Sequence, residues 1–492
     1  MYYPSKEEFI KLSEKGNVIP VYRELLTDFD TPLSAFLKIE EGDFAYLLES
    51  VEGGEHVARY SFLGSNPSLV IESKGNNVTF TRGDNVDSRE AVGDPIEEIR
   101  TFMKKFSFVD VKGLPRFCGG LVGYMGYDMV RFIEDIPDNN AADIDIPDMQ
   151  FVLTDTILIF DHVDHKLKVV SNSLVEKDDP ANAYDKACKK IDGIVEKLKS
   201  AETASAGVKT VHKPAEIESN FTKKDFCKIV EDAKEYIRAG DIIQVVLSQR
   251  LKKKTLADSF TIYRALRSIN PSPYMYYLKF GKHRIVGSSP EILVRCEDDL
   301  VEVRPIAGTR KRGADEDEDV RLEKELLADP KERAEHIMLV DLGRNDIGRV
   351  CEYSSVQAKE VMHIERYSHV MHIVSDVTGS LKKDKDVFDL IRATFPAGTV
   401  SGAPKVRAME IIDQMENVRR GPYAGSVGYI SFSGNIDLCI TIRTILMEEG
   451  TAYIQAGAGI VLDSDPEKEY EETLNKAMAM MKAIAFAEKG LE

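Results

Sequence analysis

The sequence predicts an α+β fold with antiparallel sheets, divided between two domains. Near the C-terminus, β-branched and apolar runs separated by glycine-containing turns indicate a series of hairpin strands at 426–432, 438–447 and 451–455. Elsewhere, apolar residues three to four positions apart indicate amphipathic helices. Because a chain of 492 residues is too long for one hydrophobic core, we expect two domains.

The first half combines short strands with one long helix. We expect strands at 44–48, 69–71, 151–160 and 167–170. A helix over 182–199 is predicted by the spacing of Ala183, Ala187, Ile191, Ile194 and Leu198. The next stretch, 201–220, is rich in Ala, Ser, Thr and Gly, which is typical of a linker. We therefore expect domains at 1–200 and 221–492.

The second half contains three helix-start signals. The first helix begins near Thr222 and runs to about 238, before Gly240. Asp329-Pro330 and Asp465-Pro466 predict two further starts, the latter for a final helix through about 487. We interpret the acidic stretch 313–319 as a solvated surface loop.

Composition excludes several classes of protein. A net charge of −18 argues against general nucleic-acid binding, and no apolar run reaches the roughly 18 residues of a membrane span. Six scattered cysteines and the lack of a signal-peptide pattern fit a cytoplasmic protein. An anionic substrate would need local cations, backbone amides or a bound metal, because the global field opposes it.

Several carboxylates could form a metal site. Glu469, Glu472 and Lys476 share one face of the final helix, and Glu335 follows the helix start at Asp329. This pattern fits either a solvated ion-pair face or a metal site. Mg²⁺ in particular is usually bound by only a few carboxylates.

Three other features allow two interpretations each. Gly457 and Gly459 follow a strand and indicate either a tight bend or a close backbone approach to an anion. Leu462 replaces the third glycine of a dinucleotide fingerprint, and the spacing in 398–405 does not fit a phosphate loop. Arg443, within the strand predicted at 438–447, faces either solvent or a pocket. His372 is either a core residue or a proton shuttle.

Together, long motifs in the second half resemble the chorismate-utilising enzymes, and the whole chain resembles their anthranilate synthase component I branch. The matching stretches are RPIAGTRKRG (304–313), AEHIMLVDLGRND (334–346), YSHVMHIVSDVTG (367–379), GTVSGAPKVRAM (398–409), RRGPYAGSVGY (419–429) and QAGAGIVLDSDPEKEYEET (455–473). The resemblance implies two antiparallel sheets packed as a sandwich, with helices outside and the active site between the sheets.

The resemblance also implies residue roles. Chorismate would be held by Gly308, Thr309, Tyr423, Arg443, Gly457, Ala458, Gly459 and Lys476. Mg²⁺ would be bound by Glu335 and Glu472, with Glu469 nearby. The catalytic residues would be Glu291, His372, Thr309 and Gln244: Glu291 would protonate the departing C4 hydroxyl, and His372 would assist proton removal at C2. The metal and Arg443 would neutralise the substrate's two carboxylates.

Two positions separate this branch from its relatives. Aminodeoxychorismate synthases of this type carry a nucleophilic lysine in place of Ala307, and isochorismate synthases carry a lysine base in place of Gln244. Because glutamine is a poor base, the resemblance favours ammonia as the nucleophile. Aminodeoxychorismate or isochorismate synthase is the alternative within the family, and an inactive aromatic amino acid sensing subunit is the alternative of another class.

The first half resembles the branch's regulatory region. Ser50, in the motif LLES, and Pro273, Tyr274 and Met275 would bind tryptophan as a feedback inhibitor. The sequence has no G-x-C-x-G glutaminase motif, because Cys118 lacks the required preceding glycine. We therefore expect a glutamine amidotransferase small subunit, component II, as partner in a cytoplasmic heterotetramer.

Overall fold

In a computed structural model, the described residues, 1–27, 30–51, 59–175, 179–199, 216–367 and 370–491, form two stacked sheets with helices on both outer faces. This α+β sandwich is the fold that the resemblance implied. The helices are α1 (Lys6–Leu12), α2 (Pro32–Ile39), α3 (Pro95–Met103), α4 (Pro180–Lys199), α5 (Lys223–Ala239), α6 (Ser259–Ile269), α7 (Glu316–Ala328), α8 (Pro330–Gly348), α9 (Val387–Thr394), α10 (Lys405–Met415) and α11 (Pro466–Glu488).

Most strands are short. In the first half they are β1 (Val18–Leu26), β2 (Phe44–Glu49), β3 (Tyr60–Ser65), β4 (Val70–Lys74), β5 (Asn77–Arg82), β6 (Asn85–Glu90), β7 (Gly120–Met125), β8 (Met149–Thr154), β9 (Thr156–Asp161) and β10 (Lys166–Leu174). In the second half they are β11 (Ile217–Ser219), β12 (Gln244–Lys254), β13 (Tyr274–Phe280), β14 (His283–Ser289), β15 (Ile292–Glu297), β16 (Leu300–Val303), β17 (Ile306–Lys311), β18 (Gln357–Arg366), β19 (Val370–Ser380), β20 (Gly402–Ala403), β21 (Ser426–Ser431), β22 (Ile436–Ile440), β23 (Thr444–Glu448) and β24 (Thr451–Ile460).

Each sheet combines strands from both halves of the chain. The first sheet has the order β1-β10-β9-β3-β2-β13-β14-β23-β24-β12-β11, with β20 beside β12. The second has the order β17-β19-β16-β15-β22-β21-β7-β8-β4-β5-β6, with β18 beside β19. The strand pairs in both sheets are antiparallel. The division at 201–220 stays a prediction, and residues 201–215 of that linker lie outside the described residues.

The hydrophobic core has three main layers. Between the sheets, residues such as Tyr46 and Leu278 of the first sheet meet Val122 and Tyr429 of the second. Outside the first sheet, α1, α2, α4, α6 and α11 bury their apolar faces. Outside the second sheet, α3, α8 and α9 do the same. No helix of the described ranges is long and apolar enough to cross a membrane.

Two predicted strands are each broken where the chain changes sheet. The strand predicted at 151–160 is two strands separated by Asp155: β8 pairs in the second sheet and β9 in the first. The strand predicted at 438–447 likewise divides into β22 and β23, which lie in different sheets. Both predictions of a single strand were wrong, because apolar patterning does not show which sheet a strand joins.

The helix starts were predicted well, because a capping side chain marks each one. Thr222 caps α5, Asp329 caps α8 and Asp465 caps α11 by accepting backbone N–H bonds of the first turn.

The prediction of a solvated loop at 313–319 was wrong. Asp315 caps α7, whose first turn contains the remaining acidic residues, and Asp319 is buried against Arg312.

Candidate active site

A cavity of about 600 Å³ lies where the two sheets meet α8 and α11. Thirteen of the fourteen residues predicted for catalysis, substrate and metal line it: Gln244, Glu291, Gly308, Thr309, Glu335, His372, Tyr423, Arg443, Gly457, Gly459, Glu469, Glu472 and Lys476. The exception is Ala458. Side chains alternate along a strand, so Ala458 points to the opposite face and is buried with α5 and α10.

Glu291 is a buried carboxyl group at the floor of the cavity. It follows β14, and its backbone carbonyl accepts a bond from the Ile440 N–H at 3.0 Å. Burial raises the pKa of Glu291 to about 8, although Thr399 and Lys476 favour the ionised form. Near neutral pH Glu291 is therefore mainly a neutral acid that can donate a proton.

His372 lies on β19, opposite Thr309 of β17. Its Nδ1 is 3.1 Å from the carbonyl oxygen of Gly308 and 3.0 Å from Thr309 Oγ1. Because a carbonyl oxygen only accepts, we assign the ring proton to Nδ1, which leaves Nε2 as the basic nitrogen. Burial lowers the pKa of His372, so its neutral form prevails at pH 7.

A bulge in β17 creates this arrangement. The register of β17 against β19 shifts between Ala307 and Thr309, and Gly308 has a φ of 62°, which glycine adopts without strain. The bulge turns the Gly308 carbonyl towards His372. It also leaves Ala307 on the cavity wall.

Arg443 stands at the point where the chain passes from β22 to β23, in the left-handed region at φ 51°. It is therefore not inside a strand, and of the two orientations considered, the structure has the one that faces a pocket. Its Nη1 donates to the Lys476 carbonyl oxygen at 3.0 Å. Burial lowers the pKa of Arg443, while Glu472 and Tyr423 raise it, and a guanidinium nevertheless stays charged.

Helix α11 supplies an ion pair to the cavity. Lys476 Nζ lies 2.7 Å from Glu472 Oε1 and donates to the Gly457 carbonyl oxygen at 3.0 Å. Burial, together with the nearby charge of Glu472, raises the pKa of Glu469. Opposite them on α8, Glu335 Oε1 accepts a bond from Gln244 Nε2 at 3.2 Å.

The two glycines lie within β24, so the tight bend considered for them does not occur. A Cβ on Gly457 would lie 2.7 Å from the hydroxyl of Tyr423, and one on Gly459 would lie 2.5 Å from Gln244 Nε2. Both contacts are too close for a side chain. The glycines thus bring the strand backbone directly to the cavity wall, where an anion could approach it.

The cavity wall is not positively charged by itself. Besides the mainly neutral Glu291, four glutamates line it against three cationic side chains: Glu332, Glu335, Glu469 and Glu472 against Lys331, Arg443 and Lys476. A dianionic ligand here would therefore benefit from a bound cation.

The four residues predicted for regulation line a second cavity, of about 320 Å³. Ser50 follows the end of β2, and Pro273, Tyr274 and Met275 lie at the start of β13, which pairs with β2. Three buried polar atoms at this cavity have no hydrogen-bond partner in the described residues: Ser50 Oγ, Arg116 Nε and Tyr429 OH.

Sequence reasoning missed several residues around the active cavity. Arg420 is buried with Glu416, donates to the carbonyl oxygens of Val246 and Val400, and lies over the ring of Tyr423. Thr399, on the cavity wall, belongs to the motif GTVSGAPK, but no side-chain periodicity distinguishes it. Only the tertiary structure shows that these residues meet.

Comparisons with known proteins identify the family of this chain. A model of the chorismate binding enzyme family matches residues 43–482. The chain is 53% identical to anthranilate synthase component 1 of Acetivibrio thermocellus over 489 residues, covering 98% of this chain and 99% of that one. It is 54% identical to the protein of that name from Aquifex aeolicus, with 99% of each chain covered.

Solved structures have the same fold. Anthranilate synthase component I of Streptococcus pneumoniae aligns with a TM-score of 0.77 and 36% identity, covering 93% of this chain and 98% of that chain. The menaquinone-specific isochorismate synthase of Escherichia coli aligns at 0.70 with 19% identity, covering 98% and 99%, which shows the fold alone. This chain belongs to the chorismate binding enzyme family, within its anthranilate synthase component 1 group.

Proposed function

We propose that this chain is the chorismate-using large subunit of an anthranilate synthase. It would convert chorismate and ammonia into anthranilate, pyruvate and water, the first committed step of tryptophan biosynthesis. The observation that carries the proposal is the cavity in which neutral Glu291, neutral His372 and Arg443 converge, on a chain of the component 1 group.

The substrate's two carboxylates would be held by cationic and backbone groups of the cavity wall. Arg443 offers a planar fork that suits bidentate binding of one carboxylate. Lys476, Tyr423 and the backbone of Gly457 and Gly459 offer donors nearby. Because Ala458 points away, it would contribute only through its backbone.

Two proton transfers would carry the chemistry. In the first step, the nitrogen lone pair of ammonia forms a bond to C2, the two ring double bonds each shift by one position, and the C4–oxygen bond breaks with its electron pair on oxygen. Glu291 gives that oxygen its proton, so it leaves as water. The ammonium group formed at C2 loses one proton to solvent. In the second step, His372 Nε2 assists removal of the C2 proton while pyruvate is eliminated. Thr309 and Gly308 hold Nδ1 and so orient the ring.

The carboxylates of the cavity fit Mg²⁺. Glu335, Glu472 and Glu469 present few oxygen ligands from two helices, as suits an ion that keeps several waters and shares its coordination with an anionic substrate. The excess of glutamates over cations in the wall supports the same assignment. When bound, Mg²⁺ would neutralise a substrate carboxylate.

Two wall positions argue against the alternative reactions. Both Ala307 and Gln244 line the cavity, so a lysine at either position would reach the substrate. Alanine has no nucleophile, which argues against aminodeoxychorismate synthesis. Gln244 is a poor base and already donates to Glu335, which argues against activation of water for isochorismate synthesis.

The second cavity would bind tryptophan as a feedback inhibitor. Its size and its mixture of aromatic walls with unpartnered polar atoms suit an aromatic amino acid. Ser50 would contact the amino acid, together with Pro273, Tyr274 and Met275. This assignment also explains the buried hydroxyl of Ser50, which would otherwise lack a hydrogen bond.

The ammonia would come from a partner. The sequence has no recognisable glutaminase motif, and the name component 1 of its relatives fits a two-component enzyme. We therefore propose a glutamine amidotransferase small subunit, component II, in a cytoplasmic heterotetramer. Gel filtration of co-expressed subunits tests this, and elution of the two chains as separate peaks would overturn it.

The first experiment uses the isolated chain with chorismate, Mg²⁺ and concentrated ammonium salt at alkaline pH. Blue fluorescence of anthranilate, lost on addition of EDTA, is the expected result. Consumption of chorismate without fluorescence would instead indicate aminodeoxychorismate or isochorismate synthase. Unchanged chorismate would favour the inactive sensing subunit, which tryptophan binding would then test.

A further inference from the structure

A small side cavity adjoins Glu291 on the side away from the substrate cavity. It has a volume of about 50 Å³, and its wall shares Glu291, Leu339 and Thr399 with the substrate cavity. The rest of its wall comes mainly from α8, from 303–305 at the end of β16, and from 394–399 at the end of α9. This volume accommodates at least one water molecule, which needs about 15 Å³.

Polar groups at the side cavity can hold water. The Thr399 Oγ1 is buried and makes no hydrogen bond of ordinary geometry within the described part of the chain, although it lies close enough to Glu291 to favour the ionised carboxylate. Asp346, across the cavity, is buried and pairs with Lys405 at 2.7 Å. Arg304, also on the wall, is partly exposed and held by Asp376 and Glu365. A water here would thus have polar partners and a short way to solvent.

The proposed reaction requires that a proton return to Glu291, which borders the side cavity. Glu291 gives up its proton to the leaving oxygen in every turnover. From then until the product leaves, the bound ring covers the face of Glu291 towards the main cavity. The carboxylate must regain a proton before the next turnover. Lys476, the cation that acts on Glu291 from the substrate side, favours the ionised form and does not help this step.

We propose that the side cavity holds water that returns a proton to Glu291 from behind, with the Thr399 hydroxyl as the link between them. The Thr399 hydroxyl gives its proton to the carboxylate and takes one from the cavity water, and solvent then gives a proton to that water. This inference rests on the proposed function, because it requires Glu291 to act as the acid. Thr399 and the water position and relay the proton, whereas Glu291 alone exchanges it with the substrate.

Gly343 offers a way to fill the side cavity without changing Glu291. It lies on α8, and a Cβ there would be 3.2 Å from Val303 Cγ2 and 3.5 Å from Pro305 Cγ, two atoms of the same wall. Gly343→Ala and Gly343→Val fill the space in two steps. Gly348→Ala is the matched control, because it is on the same helix and its Cβ would meet no atom within 4 Å.

The measurement is kcat at saturating ammonium, in H₂O and in D₂O, with circular dichroism as a check of folding. We expect kcat to fall about threefold for Gly343→Ala and about tenfold for Gly343→Val, as part of the 10²- to 10⁴-fold effect of general acid catalysis. The solvent isotope effect should rise because proton return becomes rate-limiting, while the KM for chorismate stays unchanged. Gly348→Ala should behave as the wild type.

Other outcomes would overturn the inference. A folded Gly343→Val enzyme with unchanged kcat and isotope effect would show that protons reach Glu291 by another route. A raised KM for ammonium with an unchanged isotope effect would show that the side cavity carries ammonia instead. If the wild-type chain makes no anthranilate, the proposed function fails before the variants are compared, so the two failures are distinguishable.

Discussion

At the scale of single residues, Glu291 combines a structural cost with a catalytic use. Its carboxyl group is buried, and burial raises its pKa to about 8. A carboxyl with an ordinary pKa would be ionised at pH 7 and could not protonate a leaving group. The same burial that makes Glu291 an acid also makes its ionised form unfavourable in the folded protein.

The catalytic consequence is a loss of activity at high pH and on removal of the acid. Because Glu291 must be protonated, kcat should be retained below pH 8 and decline as pH rises through the pKa of about 8. Glu291→Gln should lower kcat by about 10²-fold or more and remove this decline. Anthranilate fluorescence over pH 6.5–9.5 measures both, and an equally steep decline in the variant would assign it to another group.

Glu291→Gln should have the opposite effect on stability from its effect on activity. The folded pKa of about 8 is above the ordinary value of 4.5, so the contribution of Glu291 to stability is fully present below pH 4.5 and is lost as pH rises to 8. At about 1.4 kcal/mol per pH unit, the loss is at most about 5 kcal/mol. Glu291→Gln lacks this loss. The unfolding free energy of the variant should therefore rise relative to that of the wild type between pH 5 and pH 8. Urea denaturation at both pH values measures it, and a constant difference would contradict the assigned burial cost.

Arg443 is expected to bind a substrate carboxylate through the planar shape of its guanidinium as well as through its charge. Its left-handed backbone aims the guanidinium into the cavity. Arg443→Lys keeps the charge but loses the planar fork. Because a hydrogen bond to a charged group contributes about 1.5–3 kcal/mol, we expect the KM for chorismate to rise by about 10-fold or more. Arg344→Lys, on the exposed side of α8, is the matched control and should leave the KM unchanged. An unchanged KM in Arg443→Lys would remove Arg443 from the carboxylate site.

At the scale of elements, the sequence predicted local structure better than sheet membership. The helix starts at Thr222, Asp329 and Asp465 were correct because their signals are local hydrogen bonds. The breaks at Asp155 and at 441–443 were missed because a strand has the same side-chain alternation in either sheet. The second break is also the position of Arg443, so the local pattern failed where the site is built.

The site residues could be predicted only because long motifs resemble a known family. From patterning alone, Glu472 could belong to a solvated ion-pair face, Arg443 could face solvent, and His372 could be a core residue. The structure explains why: these side chains come from a helix, a sheet crossover and a strand that are distant in sequence. The side cavity behind Glu291 gave no signal, because its wall residues come from separate segments of the chain and share no spacing.

Helix α11 carries the test of the metal assignment. Glu472 lines the cavity, whereas Glu471, its neighbour on the same helix, does not line it and is exposed. Glu472→Ala should raise the Mg²⁺ concentration needed for half-maximal activity by about 10-fold, and excess Mg²⁺ should restore activity, because a lost carboxylate weakens binding. Glu471→Ala should keep the wild-type Mg²⁺ dependence. Full activity of the wild type after EDTA treatment would contradict the metal assignment altogether.

At the scale of the whole molecule, two strands connect the second cavity, called here the regulatory cavity because tryptophan is proposed to bind there, with the cavity of the candidate active site. Asp437 and Cys439 of β22 line the regulatory cavity, and the same strand leads to Arg443. Similarly, Tyr274 pairs in register with Ser289, two residues before Glu291. The N–H of Ser288 donates to the Arg443 carbonyl oxygen at 3.1 Å. A ligand that moves either strand in one cavity would therefore displace a residue of the other.

This connection predicts that tryptophan and chorismate weaken each other's binding. Linkage requires the two effects to be equal, and a coupling free energy of 1–3 kcal/mol corresponds to about 5- to 150-fold. Calorimetric titration of tryptophan, with and without chorismate in ammonium-free buffer, should show a weaker tryptophan affinity when chorismate is bound. Ser50→Phe fills the regulatory cavity, so it should abolish tryptophan binding and inhibition while kcat and the KM for chorismate stay unchanged. Equal tryptophan affinity with and without chorismate would mean that the shared strands transmit nothing, and inhibition would then require a route outside β14 and β22.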